Sequence, residues 1–327
     1  MTIIGDTSAL TCNGMSGLCD LRIDQVTFPG AHNAGAGFNG DLHYYYGAVA
    51  LPCFYKNVAK NFEQMLDFGI RFFDIDTCLW HYKLESCHEN AYAGSLRIAF
   101  DQIDRWMKSN PNEVIILNFN RDITDHRDKS GIAHKIIYEV EKRWSPYKSS
   151  NQIKLSIKGR WPTLREAINS RQRIFIFMDN HLWQYVSSKS YLYWTNGFYH
   201  SSWKDNMNVS PGGCGVIVDA ARENCGTDDD MIELAAFGKA GLCIWDMAWH
   251  CSNSLQSALD TCYAKRQQKN HKTVNVILVD YPASNYHHGN DVVTKARYMN
   301  EKNIRQYSTQ REEEIAMLAA MQMASLN

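Results

Sequence analysis

The sequence predicts an α/β fold built around a parallel sheet or barrel. Strand-like apolar runs alternate with amphipathic helical segments along all 327 residues, and no short repeat or Pro/Ser-rich linker divides them. Polar side chains also follow the strands at their carboxyl ends. A (β/α) barrel gathers such ends at one rim, where its active site lies, and the number of strands favours this closed form over an open sheet.

Hydrophobic periodicity predicts the individual elements. An irregular arm (1–23), with turn-forming residues between two cysteines, precedes the first strand. Buried strands are predicted from short apolar runs near 25–28, 70–76, 113–120, 173–180 and 274–282. Helical spacing predicts helices at 56–68, 94–109, 131–144, 253–269 and 290–300, followed by a C-terminal helix at 301–327.

Residues 181–250 have a weaker pattern. GFYHSSW (197–203) and GLCIWDMAW (241–249) resemble strands, and GVIVDAA (215–221) is compatible with a strand or a loop. No G-x-G-x-x-G motif follows a strand, so a dinucleotide site is not expected. We interpret residues 1–327 as one domain.

Ten cysteines indicate an oxidising compartment. None are spaced as C-x-x-C, which argues against zinc ribbons and thioredoxin-like sites. Their connectivity does not follow from the sequence, but near pairs favour short loops closed by disulfides: Cys12 with Cys19, Cys78 with Cys87, Cys214 with Cys225, and Cys251 with Cys262. Cys53 and Cys243 have no obvious local partner. The alternative is a set of reduced thiols in a cytosolic protein.

Charge and hydropathy limit the partners. The 34 Lys+Arg and 35 Asp+Glu give a net charge of -1 without a basic stripe, so nucleic acid is not an expected partner. No apolar run approaches the roughly 18 residues that a transmembrane helix requires.

The start, MTIIGDTSAL, lacks a basic segment followed by an apolar one. Either a signal peptide has been removed and Met1 added, or the protein is not secreted; the cysteines favour secretion.

The candidate chemistry is concentrated in the first third of the chain. FPGAHN brings His32 and Asn33 directly after a strand, and GIRFFDID ends the next strand with Asp74 and Asp76. Side chains alternate along a strand, so both carboxylates point the same way and repel each other unless a cation or a shared proton lies between them. His32 and His88 add groups that titrate near neutral pH. A hard cation with an acid and a base beside it suits phosphodiester chemistry.

Several motifs resemble the X-box catalytic region of phosphatidylinositol-specific phospholipase C, namely FPGAHN, GIRFFDID, CHEN, NPNEVIILNF and VNVILVDYP. The resemblance covers about residues 24–300 in order and is strongest across 28–122. The CNGMSGLCD opening, and WPTL followed by RIFIF, are similar to extracellular PLC-like phosphodiesterases of that superfamily. The resemblance implies an irregular (β/α)8 TIM barrel, secreted and acting on phospholipid head groups at a membrane surface.

The resemblance also implies roles for individual residues. His32 falls on the family's general base and His88 on its general acid, and Asp280 resembles the carboxylate that orients the base. The expected reaction is a phospholipase C cleavage that yields diacylglycerol and a cyclic inositol phosphate. In it, His32 removes a proton from the head-group hydroxyl and His88 protonates the departing glycerol oxygen.

The cation ligands are implied in the same way. Asn33, Asp74 and Asp76 fall on the Ca²⁺ ligands of the metal-dependent branch, whereas metal-free bacterial relatives have an arginine in the place of Asp76. The fourth ligand position, a glutamate in animal enzymes, is Asn120 here. Because an amide oxygen binds Ca²⁺ without contributing charge, a lower affinity is expected. The predicted cofactor is Ca²⁺, with Mg²⁺ as the alternative.

Two other functions stay open. One is a related phosphodiesterase on the same barrel, such as a glycerophosphodiesterase or a sphingomyelinase D-like enzyme. Those enzymes also use two histidines and a carboxylate pair, but their carboxylates lie much closer in sequence to the first histidine. The other is a catalytically weak or non-enzymatic binding protein that has kept the barrel. Asn120, an amide at the position of the fourth acidic ligand, is compatible with this second alternative.

Overall fold

The protein consists of a curled, mostly parallel sheet surrounded by helices. The computed structural model describes residues 10–39, 43–44, 55–88, 91–121, 128–148, 152–203, 214–237, 244–270, 272–283 and 291–324. The strands described are β1 (Phe28–Ala31), β2 (His43–Tyr44), β3 (Phe72–Trp80), β4 (Lys83–His88), β5 (Ala91–Ser95), β6 (Ile115–Arg121), β7 (Lys154–Leu155), β8 (Gln172–Met178), β9 (Leu192–Trp194), β10 (Tyr199–Ser201), β11 (Met231–Ala235) and β12 (Val276–Val279). The α-helices described are α1 (Phe62–Phe68), α2 (Leu96–Ser109), α3 (Lys129–Trp144), α4 (Leu164–Asn169), α5 (Asn180–Trp183), α6 (Thr195–Phe198), α7 (Gly215–Asn224), α8 (Ile244–Asn270) and α9 (Asp291–Ala324).

Parallel strands form the wall of the barrel in the order β10-β11-β12-β1-β3-β6-β8-β9. The short helix α6 connects β9 to β10, the two ends of this order. β7 pairs with β8, and an antiparallel extension of β4, β5 and β2 leads away from β3. The predicted α/β class and barrel type are therefore confirmed, and the short strands and the antiparallel extension make the barrel irregular.

Apolar side chains pack on both faces of this sheet. Phe72, Ile116 and Phe177 belong to a cluster in the barrel interior. Phe73 and Leu117, one residue further along their strands, belong to the second cluster, between the sheet and the helices. Burial on both faces is the reason that the strands are continuous apolar runs in the sequence.

The N-terminal arm packs at the end of the barrel where the parallel strands begin. The amide of Asn13 donates to the carbonyl of Asn112 just before β6, and the amide of Ile23 donates to the carbonyl of Pro162. Two 3-10 turns, Ser16–Asp20 and Ile23–Gln25, shape this segment. The arm therefore covers the end of the barrel opposite the carboxyl ends of its strands.

Disulfides join the described cysteines in four bonds. Cys12–Cys19 and Cys78–Cys87 confirm two of the predicted near pairs. Cys53 and Cys243 lie outside the described residues.

The other two predicted pairs are wrong. Cys214 bonds to Cys251, and Cys225 bonds to Cys262. Cys214 and Cys225 cap the two ends of α7, and their spacing of about three helical turns brings both to one face. The same spacing recurs in α8, so the disulfides cross between two adjacent helices rather than closing short loops.

Other element predictions also need correction. Residues 215–221, predicted as a strand or a loop, belong to α7. Residues 244–249, predicted as part of a strand from 241, begin α8, and residues 241–243 lie outside the described residues. A short apolar run does not distinguish a buried helix from a strand, and neighbouring packing decides between them. β9 and β11 were not predicted, and 197–203 contains the end of α6 and then β10.

Several helix boundaries also shift. Asn61 caps α1, so the helix predicted from 56 starts later, and residues 91–95 pair as β5 before α2 begins. The predicted boundary at 301 lies inside α9, which is continuous. Among the helices described, none has both the length and the apolar character needed to cross a bilayer.

Candidate active site

Polar side chains from four neighbouring strands meet at the carboxyl end of the barrel. β1 pairs in parallel with β12 and β3, and β3 pairs in parallel with β6, so residues that end or follow these strands lie side by side. The register makes Asp74 the neighbour of Asn118 and Asp76 the neighbour of Asn120. The groups along this rim are His32, Asn33, Asp74, Asp76, Asn118, Asn120 and Asp280.

His32 is positioned by contacts on an edge and on a face of its ring. Its Nδ1 lies 2.9 Å from Oδ1 of Asp280, and the side chains of His32 and Asp280 are 17% and 3% exposed. The ring stacks on Phe237, with centroids 3.5 Å apart and planes at 12°. Because Nδ1 and one face are occupied, Nε2 is the ring nitrogen available to exchange a proton with a ligand.

Asn57 contacts both His32 and Asp280, and the sequence analysis did not identify it as a site residue. Its Nδ2 donates to Oδ1 of Asp280 at 2.7 Å and lies 3.4 Å from Nδ1 of His32. The buried Oδ1 of Asn57 has no hydrogen-bond partner among the described residues. The amide of Tyr281, a residue with a φ of 50°, donates to the carbonyl of Asn57 at 2.7 Å. These contacts restrict how the Asp280 carboxylate can turn.

Asp74 is a buried carboxylate that accepts hydrogen bonds from three residues. The backbone amide of Asn33 donates to Oδ2 at 3.4 Å, and the side-chain amides of Asn118 and Asn120 both donate to Oδ1. Burial raises the pKa of Asp74 and outweighs the opposing effects of His32 and of these hydrogen bonds. A bound cation would relieve this cost of burying the charged form.

The predicted cation ligands lie around this carboxylate. Asp76 is on the same face of β3, two residues further along, and Asn33 and Asn120 both contact Asp74. Carboxylate and amide oxygens suit a hard cation, so the donor chemistry fits Ca²⁺. Asn120 now presents its amide nitrogen to Asp74, and a half-turn of the amide would present the oxygen instead. The described part of the chain contains no group of three His, Cys, Asp or Glu arranged for a metal, so a cation here would depend on amide oxygens.

His88 ends β4, next to the turn that contains His32. Its Nδ1 lies 3.0 Å from the carbonyl oxygen of Tyr55. The turn after β1 touches β4 at Gly35, where an added Cβ would collide with the side chain of Ser86. Glycine is therefore required at this close approach. The two histidines come from segments that are in direct contact.

Glu233 is a further carboxyl group that the sequence analysis missed. It is 4% exposed on β11, and Oγ of Ser201 donates to its Oε1 at 2.6 Å. Burial raises the pKa of Glu233 well above its usual range, and the charge of Asp74 raises it further. An acidic residue inside the apolar run MIELA was the signal available in the sequence.

The ring stack on His32 extends one residue further. Phe237 also stacks on Trp203, with centroids 4.7 Å apart and planes at 20°. Phe237 is buried and Trp203 is partly exposed. The three rings form an aromatic wall on one side of the rim, from segments that follow three different strands.

Solved structures define the class of this barrel. It is similar to phosphatidylinositol-specific phospholipase C from Listeria monocytogenes, with a TM-score of 0.56 and 14% identity over 86% of this chain and 97% of that one. A mutant form of the Staphylococcus aureus enzyme gives a TM-score of 0.56 and 14% identity over 85% and 96% of the two chains. At this identity the likeness establishes the fold, which is a phospholipase C-type TIM barrel.

Sequence comparison establishes the family. The family model PI-PLC X 1 matches residues 18–293, so the chain belongs to the PI-PLC X family. It is 30% identical over 182 residues to PI-PLC X domain-containing protein 1 of Arthroderma benhamiae, covering 52% of each chain. It is also 25% identical over 187 residues to an uncharacterized secreted protein of that fungus, covering 53% of this chain and 36% of the relative. The chain thus matches about half, or less, of the length of these curated relatives.

Proposed function

We propose that the protein cleaves the phosphodiester bond of a phosphoinositide or another inositol-phosphate-linked lipid in the manner of a phospholipase C. The observation that carries the proposal is the pairing of His32 with Asp280 at a rim that also contains the buried carboxylate of Asp74. His88, on a strand in contact with the His32 turn, supplies a second proton-transfer group. Membership of the PI-PLC X family and the barrel fold support this class of reaction.

The proposed reaction uses the two histidines in opposite roles. Nε2 of His32 accepts the proton of the head-group hydroxyl beside the phosphate, while Asp280 stabilises the imidazolium that forms. The hydroxyl oxygen attacks phosphorus, and the bond from phosphorus to the glycerol oxygen breaks. His88 donates a proton to that leaving oxygen, so the products are diacylglycerol and a cyclic inositol phosphate. Each positioned proton transfer contributes about 10²–10⁴-fold to the rate.

A divalent cation is part of the proposal. Asn33, Asp74, Asp76 and Asn120 would hold Ca²⁺, or Mg²⁺ as the alternative, through carboxylate and amide oxygens. When bound, such a cation neutralises phosphoryl charge and lowers the pKa of the attacking hydroxyl. Because Asn33 follows His32 in the chain, these four residues would place the positive charge of the cation beside the proposed base.

The proposed setting is extracellular, at a phospholipid surface. The disulfides suit an oxidising compartment. Similarity to a secreted protein of Arthroderma benhamiae supports the same setting.

The test is product analysis with defined lipids. Purified protein is incubated with phosphatidylinositol, with Ca²⁺ or with a chelator, and phosphorus NMR identifies the product. A cyclic inositol phosphate together with diacylglycerol is expected, with more turnover in Ca²⁺. Choline release from lysophosphatidylcholine would instead indicate a sphingomyelinase D-like enzyme. No turnover of any phosphodiester would favour a binding protein.

Paired histidine variants connect that activity to the rim. His32→Ala is expected to lower kcat by about 10²–10⁴-fold, because the base is removed. The control is His134→Ala, which removes an exposed histidine on α3 that bonds to Ser130 one turn earlier. Turnover that survives His32→Ala would overturn the proposed mechanism.

A further inference from the structure

The β3–β4 hairpin ends in an aromatic tip (Trp80–Lys83) at the active-site end of the barrel. Trp80 pairs with Lys83, so His81 and Tyr82 form a two-residue turn. Trp80 lies four residues beyond Asp76 on the same strand, a rise of roughly 13 Å. The aromatic tip therefore projects past the rim in the direction of the strand carboxyl ends.

The turn is made by residues that do not favour its conformation. His81 has a φ of 46° and Tyr82 a φ of 62°. Two-residue hairpin turns with positive φ at both positions normally use Asn-Gly or glycine pairs, because a Cβ is disfavoured there. Tyr82 is 88% exposed, so internal packing does not explain a large ring at this position. A disfavoured residue at a solvent-exposed turn points to a function outside the folded core.

The base of the aromatic tip is rigid. The Cys78–Cys87 disulfide joins the two strands of the hairpin. Trp80 packs against Tyr92 of β5, with ring centroids 4.2 Å apart. These four side chains form a small apolar cluster separate from the two main cores. The orientation of the aromatic tip is therefore coupled to β3, the strand that contains Asp74 and Asp76.

We propose that the aromatic tip is an interfacial anchor that seats the rim on a phospholipid surface. Trp and Tyr rings prefer the head-group level of a bilayer, where one edge is apolar and the other is hydrated. The exposed ammonium of Lys83 suits lipid phosphate. This inference rests on the proposed function, since the surface that the aromatic tip enters is the one that presents the substrate.

Vesicle sedimentation tests the anchor without requiring turnover. The probe is phosphatidylcholine vesicles containing phosphatidylinositol, with a chelator present, and the readout is the vesicle partition coefficient. Tyr82→Gly is expected to lower it about tenfold, because a ring that enters the interface is lost. Glycine adopts the positive φ freely, so the melting temperature should not fall. Tyr82→Phe keeps an aromatic ring and should retain binding.

The control is Tyr138→Ser, which removes an exposed tyrosine on α3. Its partition coefficient should match the wild type. Tyr82→Gly binding within twofold of the wild type, or an equal loss in Tyr138→Ser, would overturn the anchor. Wild-type protein that binds vesicles through Tyr82 but cleaves no phosphodiester would overturn the proposed function and leave the anchor in place. Wild-type protein that cleaves phosphatidylinositol in detergent, but whose vesicle binding is independent of Tyr82, would support the proposed function and overturn the anchor.

Discussion

The contact between Asp280 and His32 allows the charge of the base-orienting residue to be removed without removing its hydrogen bonds. Oδ1 of Asp280 accepts from Nδ2 of Asn57 at 2.7 Å and lies 2.9 Å from Nδ1 of His32. In Asp280→Asn, the Asn57 donor requires an acceptor at the same point, so the new amide turns its oxygen toward both neighbours. The substitution then changes charge while keeping the geometry.

The size of the loss in kcat follows from the distance between the two charged groups. Their nearest atoms, Nδ1 of His32 and Oδ1 of Asp280, are 2.9 Å apart, so the centres of the two delocalised charges are about 4 Å apart. Two unit charges about 4 Å apart interact by about 4 kcal/mol at an effective dielectric constant of about 20. That attraction stabilises the imidazolium that forms when His32 accepts a proton. Since each 1.36 kcal/mol changes a rate about tenfold, Asp280→Asn is expected to lower kcat by about 10³-fold with little change in KM.

The assay is steady-state turnover of phosphatidylinositol in mixed micelles, which removes vesicle binding as a variable. The matched control is Asp128→Asn, because Asp128 caps α3 by accepting from the amide of Gly131, and asparagine caps as well as aspartate. Thermal unfolding should be unchanged in both variants. A loss in kcat of less than tenfold in Asp280→Asn would show that the charge of Asp280 does not stabilise the protonated base.

Three other substitutions test separate parts of the structure. Glu233→Gln should raise the free energy of unfolding at pH 8 but not at about pH 4.5. Burial raises the pKa of Glu233 in the folded state, so the wild type loses stability as pH rises from the ordinary value of 4.5 to that raised value. Urea denaturation at both pH values checks this, and equal effects would contradict it. Replacing Cys225 and Cys262 together with Ser should lower the free energy of unfolding by about 4 kcal/mol, since their bond spans 37 residues. Denaturation under oxidising conditions measures the loss, and an unchanged midpoint would argue against this pairing. Gly35→Ala should lower kcat about tenfold or more by displacing the His32 turn, whereas Gly159→Ala, whose Cβ meets nothing within 4 Å, should not. Equal activities would contradict the close approach.

Much of the rim could be predicted because its chemistry lies next to strand ends. His32 follows β1 directly, Asp280 follows β12, and Asp74 lies within β3. An apolar run that ends in a polar residue is visible in a short window of sequence. Parallel pairing then brings such ends together without any further information.

The residues that sequence analysis missed belong to segments with at most a weak local signal. Glu233 lies on a five-residue strand that was not predicted, and Phe237 follows it. Asn57 reaches Asp280 across more than two hundred residues of chain. No periodicity in the surrounding sequence marks these positions, because their roles arise from contacts with distant strands.

Local sequence was thus sufficient to predict the main buried strands, the strand ends that hold His32, Asp74 and Asp280, and two of the four proposed disulfide pairs. Each depends on neighbours within a few residues, through hydrophobic spacing and the polar residue at a strand end. The cross-helix pairing of Cys225 with Cys262, and the burial of Glu233 beside Asp74, depend instead on how α7, α8 and β11 pack. Such contacts join residues far apart in the chain, so only the folded arrangement brings those groups within reach of one another.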